Sequence, residues 1–60
     1  MSDRLIDQEW FIKEVNPTTL ELTYLNTNYA EVVRRTNIEV EKGVDSQVAV
    51  IKVCKEMLGK

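Results

Sequence analysis

From Asn28 to Gly59 the apolar positions recur at helical spacing twice, on either side of Glu41-Lys42-Gly43-Val44. Tyr29, Val32, Val33, Thr36 and Val40 fall within about 100° of arc on a helical wheel. Glu31, Arg34, Arg35, Glu39, Glu41 and Lys42 occupy the other side. This spacing predicts an amphipathic helix that ends before Gly43, where a left-handed residue is wanted. Asn28 followed three residues later by Glu31 fits a capping box at its start, and Glu31 precedes Arg35 by the four residues that favour a surface ion pair. Asp45 or Ser46 then opens a second helix by accepting from its first free N–H groups. Lys52, Lys55, Glu56 and Gly59 mark its polar stripe, while Val50, Ile51, Val53, Cys54, Met57 and Leu58 cover about 160° opposite. Val48 falls on the polar side. An apolar arc this wide is more than one partner helix covers. A rival pattern exists, since residues 37–41 alternate strictly and residues 48–54 are rich in β-branched side chains, so a hairpin over the same stretch is the competing reading. Helical periodicity holds over the longer windows and is preferred.

The first half reads differently. Residues 1–9 are polar apart from Met1, Leu5 and Ile6, and fray or start a short helix. Leu5, Ile6, Trp10, Phe11, Ile12 and Val15 scatter around a helical wheel, so a strand over 9–15 fits better, aromatic and β-branched residues suiting a pleated surface. Asn16-Pro17-Thr18-Thr19 carries turn chemistry. Leu20 to Leu25 then alternates, placing Leu20, Leu22 and Tyr24 on one face. The two segments make a hairpin in which Lys13 faces Glu21. The competing reading makes Asn16 a cap and Pro17 the first residue of a helix running onward, which gives a three-helix all-α chain. The expected fold class is therefore α+β: one small domain over residues 1–60, with a β-hairpin in 9–25 followed by two antiparallel amphipathic helices in 28–59.

Length sharpens the question of what completes the core. At 60 residues the chain is near the lower limit for folding alone. Cys54 is the one cysteine, which excludes a disulfide within the chain, and with no histidine a single thiol cannot build a zinc site. No metal or cofactor is expected, which leaves oligomerisation or a partner protein. Eight basic and ten acidic residues give a net charge of −2, so neither half offers a phosphate-binding basic patch. No apolar run approaches membrane-spanning length, and Met1-Ser2-Asp3-Arg4 does not lead into a signal peptide, so a cytoplasmic protein with a reduced thiol is expected.

Residues that carry chemistry are scarce. There is no histidine for acid–base work near neutral pH, and with only Gly43 and Gly59 there is no phosphate-binding glycine loop. Glu39 and Glu41, two apart on a helix, do not face each other. Cys54 lies on the apolar arc and reads as a buried structural residue. An enzyme is not expected. A strand followed by two helices resembles the ribbon-helix-helix DNA-binding proteins in outline. That resemblance implies a dimer reading bases from its ribbon, with Thr23, Arg34 and Arg35 as the contacts. Glu21 on the ribbon and Asp45 at the second helix start bring the wrong sign to phosphate. The preferred expectation is a protein-interaction module, self-associating or docking on a larger partner through Trp10, Phe11, Ile38, Val48, Ile51 and Leu58. Trp10 and Phe11 are adjacent, so in a strand they point to opposite faces. Ile38 sits among charges, and the second helix has apolar arc to spare.

Overall fold

The C-terminal half forms the two helices that its periodicity predicts, and the N-terminal half adds two more. The computed structural model describes residues 4–60. A 3₁₀ turn at Leu5–Asp7 leads into α1 (Glu9–Val15), α2 (Thr19–Thr27), α3 (Tyr29–Glu41) and α4 (Ser46–Leu58). Met1 to Asp3 lie outside the described residues. Among the described residues there is no strand, so the α+β class and the hairpin over 9–25 are overturned and the domain is all-α. The outline shared with ribbon-helix-helix proteins goes with them.

The physical cause lies in the polar residues around Pro17. Asn16 takes a left-handed conformation (φ 49°, ψ 56°) and its N–H bonds back to Ile12 O at 2.8 Å, which stops α1. Thr18 then caps α2, two residues after the predicted cap. Its hydroxyl accepts from Glu21 N–H at 3.1 Å, while the Glu21 carboxylate accepts from Thr18 N–H at 2.9 Å. This reciprocal capping box satisfies two otherwise orphaned donors. Within α2, Thr23 donates to Thr19 O and Asn26 to Leu22 O. The alternation of residues 20–25 thus loses to capping and to the burial of a single side chain, Leu25. The Lys13–Glu21 pairing expected of a hairpin is absent, and Glu21 bonds to Lys60 instead.

Three helix ends follow standard chemistry. At Gly43 (φ 97°) the Val44 N–H reaches Glu39 O and the Gly43 N–H reaches Val40 O, the paired bonds of a Schellman motif. Gly59 repeats the arrangement, with Lys60 N–H on Lys55 O and Gly59 N–H on Glu56 O. Asp45 caps α4 by accepting from Gln47 and Val48 N–H. The predicted box at Asn28 does not form: the Asn28 amide donates to Tyr24 O, and the Glu31 carboxylate is taken by Arg34 and Arg35.

The core joins both halves. Ile6, Phe11, Val15 and Leu25 meet Val32, Val50 and Cys54, and Trp10, Tyr29, Ile51, Met57 and Leu58 pack around them. α4 is the central element, in contact with α3, α1 and the 3₁₀ turn. Its wide apolar arc is thus covered on two flanks within the chain, α1 and the 3₁₀ turn supplying what α3 leaves open. On α1 the inward pair is Phe11 and Val15, four residues apart on one helical face, which leaves Ile12 outward.

Candidate protein-interaction surface

Each residue expected at a contact surface has a definite place. Phe11 is fully buried at the centre of the core, so its side chain is not part of any surface; in a helix it points inward with Val15, whereas the strand reading left one of the Trp10–Phe11 pair outside. Trp10 is half-buried and meets the Phe11 ring edge-on, with centroids 6.2 Å apart. Leu58 is half-buried against the core. Ile38 is 40% exposed and lines a small hollow with Arg35, Glu39, Val53 and Glu56 along the α3–α4 seam.

Val48 and Ile51 come together. They form the apolar floor of an open hollow of about 450 Å³ on the outer side of α4, framed by Glu14, Lys52, Lys55, Glu56 and Lys60. Val48 is 57% exposed, as its place on the polar side of the wheel predicts, and Ile51 is half-buried beneath it. Spacing explains the pairing, since residues three apart on a helix share a face. The rim carries both signs and is held by ion pairs: Lys52 to Glu39 at 2.6 Å, Lys55 to Glu14 at 3.9 Å and Lys60 to Glu21 at 2.8 Å. The Lys52 bond, then that of Lys42, holds the Glu39 carboxyl below its usual range, and Glu39 in return raises Lys52.

Among the described residues, five large exposed apolar side chains lie outside the expected contact set: Ile12, Val33 and Val40, the last two expected on the inner arc of α3, and on α2 Leu20 and Tyr24. Leu20 is 83% exposed and Tyr24 47% exposed on the outer face of α2. The signal was present, because Thr18-x-x-Glu21 is a helix-start signature and Leu20 and Tyr24 are then i, i+4 neighbours.

The residues of the nucleic-acid alternative are also placed. Thr23 is exposed on α2, its hydroxyl turned back to Thr19 O. Arg34 and Arg35 converge on one carboxylate. Arg34 donates to both Glu31 oxygens at 2.9 and 2.6 Å, and Arg35 Nε donates at 2.7 Å. These bonds, Arg34 first, pull the Glu31 carboxyl down to about 2. The basic pair is therefore partly neutralised where it stands. Cys54 is fully buried, and burial pushes its thiol up to about 11, so it stays protonated near neutral pH. No helix among the described residues is long and apolar enough to cross a membrane.

Compared with known protein families, curated proteins and solved structures, the chain matches none.

Proposed function

We propose that this chain is a non-enzymatic protein-interaction module, with the outer face of α4 around Val48 as its principal contact surface. The observation that carries the reading is the exposure of Val48, 57%, above Ile51 in a hollow with a charged rim. An apolar floor inside a ring of polar side chains is the usual anatomy of a contact patch, the floor supplying burial and the rim supplying register. The partner is a second copy of the chain or a larger protein. The nucleic-acid alternative draws little support from the geometry, because Glu31 occupies both arginines and no ribbon carries Thr23.

Two measurements on the native chain and on Val48→Asp test this. Sedimentation equilibrium reads self-association, and selection from a random peptide library reads binding to other proteins. The expected result is at least one complex that the native chain forms and Val48→Asp does not. The reading is overturned if no complex depends on Val48, with both proteins equally folded by circular dichroism.

A further inference from the structure

A single residue separates α2 from α3. Asn28 has φ −106° and ψ 28°, which is non-helical chiefly through a ψ rotation of about 70°. The helical ladder already spans it, since Asn28 N–H bonds to Tyr24 O at 3.0 Å and Val32 N–H to Asn28 O at 3.2 Å. The start of α3 has no side-chain cap. Rotating Asn28 into helical geometry would turn that uncapped end into helix interior, giving one helix over residues 19–41.

Such a helix keeps its register. On a wheel at about 100° per residue, Leu25, Val32 and Thr36 fall within about 40° of one another. These three are the buried residues of the two helices, so the core faces of α2 and α3 run on as one stripe. Roughly opposite, Leu20, Tyr24, Thr27, Glu31, Arg34 and Ile38 fall within about 80°. That second stripe gathers the unburied Leu20 and Tyr24 of α2 with the unburied Ile38 of α3. It is also self-complementary: two copies laid antiparallel about residue 29 set Leu20 against Ile38, Tyr24 against Arg34 and Thr27 against Glu31.

The core is divided at the same residue. Ile6, Phe11, Val15 and Leu25 precede Asn28, while Val32, Val50 and Cys54 follow it. The two parts pack on each other across this division, chiefly α1 on α4, and an exchange between two copies would remake those contacts in full.

We propose that this chain forms an exchanged dimer, in which Asn28 straightens, α2 and α3 become one helix, and residues 4–27 of each copy pack on α4 of the other. Exchange of an identical element is a low-cost route to a dimer, because the same contacts serve both states. The long helices then pair through Leu20, Tyr24 and Ile38, which the closed monomer leaves in water. This association is independent of the Val48 hollow and goes beyond it.

Glu14 and Lys55 report the exchange directly, because their side chains meet between α1 and α4 at 3.9 Å. The monomer and the dimer, the latter mixed from ¹⁴N and ¹⁵N chains, are separated by size exclusion and then coupled with a carbodiimide, which joins a lysine to a carboxylate it touches. Mass spectrometry should show the Glu14–Lys55 amide within the chain for the monomer and between ¹⁴N and ¹⁵N chains for the dimer. Asn28→Ala, which favours helix, should raise the dimer association constant about tenfold, and a Gly-Gly insertion after Asn28 should lower it by at least as much. Val48→Asp should leave the dimer intact, which separates this exchange from association through α4. A chain that stays monomeric at millimolar concentration overturns the proposal. So does a dimer whose Glu14–Lys55 links all lie within single chains, whatever Val48→Asp does.

Discussion

The Lys60 ammonium lies 2.8 Å from Glu21 Oε1, and from there it also donates to the carbonyls of Val15 and Asn16 at 3.2 Å. One side chain thus ties the end of α4 to the end of α1 and to the capping box of α2. A cation at the carbonyl end of a helix is favourably placed, and so is a carboxylate at the amide end of the next. The Lys60 bond is also the main reason that the Glu21 carboxyl sits below its usual range, ahead of the Thr18 N–H.

Lys60→Met keeps an unbranched stem and removes the ammonium. The two carbonyls lose a donor and the capping carboxylate loses its counter-charge. The variant should melt at a lower temperature, and the Glu21 carboxyl should titrate closer to its ordinary value in carbon-detected NMR. A melting temperature and a Glu21 midpoint both unchanged would show that the contact is incidental.

Phe11 anchors the N-terminal half to α4. It is fully buried among Ile6, Val15, Leu25, Val50 and Cys54, so Phe11→Ala should cost about 3–5 kcal/mol. For a domain this small that is most of the total stability, and the variant should be largely unfolded in circular dichroism at 25 °C. Ile12→Ala, on the outer side of the same helix, should keep the native spectrum. In the hairpin that the sequence pattern suggested, adjacent residues alternate faces, and the large effect would not be confined to Phe11.

How much of this was legible follows from where the determining interactions lie. α3 and α4 are each 13 residues, long enough for 3.6-residue periodicity to emerge, and their ends carry Gly43 and Asp45 in the roles expected of them, while Gly59, read only as part of the polar stripe, closes α4. α1 has 7 residues and α2 has 9, each burying only one or two side chains. Over so few positions the pattern for a helix and that for a strand coincide, and local propensity favoured the wrong one. The deciding evidence was chemical: Thr18 and Glu21 at capping-box spacing, obscured by the turn signal of Asn16-Pro17. The excess apolar arc of α4 was legible, but its cover, Ile6 to Val15 against Val50 and Cys54, lies 35 to 48 residues away in the chain, in contacts that no local pattern encodes. Val48 was correctly placed on the polar side because its position depends on α4 alone.

Glu31 makes stability depend on acid in a definite window. Its carboxyl is lowered to about 2 in the folded chain by Arg34 and then Arg35, against an ordinary value of 4.5. A lowered carboxyl favours the folded state above the unfolded value, and that contribution is lost as pH falls through the folded value. Stability should therefore decline between about pH 4.5 and 2, with the lowered Glu21 and Glu39 carboxyls adding in the same direction. Denaturant unfolding at stepped pH measures it. Arg34→Ala with Arg35→Ala should flatten the slope and return Glu31 toward its ordinary value, and an unchanged slope would show that these bonds do not persist in solution.

Thr36 offers the opposite kind of change, one that strengthens the fold. Its side chain is buried on α3, and its hydroxyl has no hydrogen-bond partner. A buried hydroxyl without a partner loses its water and gains nothing, at a cost of about 1–3 kcal/mol. Valine has nearly the same shape and no such loss, so Thr36→Val should stabilise the chain by about 1 kcal/mol. In a domain of this size that corresponds to a rise in melting temperature of about 4–8 °C. Thr36→Ser separates this effect from simple packing, because it keeps the hydroxyl while deleting a buried methyl, and it should destabilise. If Thr36→Val proves no more stable than the native chain, the hydroxyl has found a partner, most simply by turning to the Val32 carbonyl one turn back, and α3 then carries a side-chain bond in its interior.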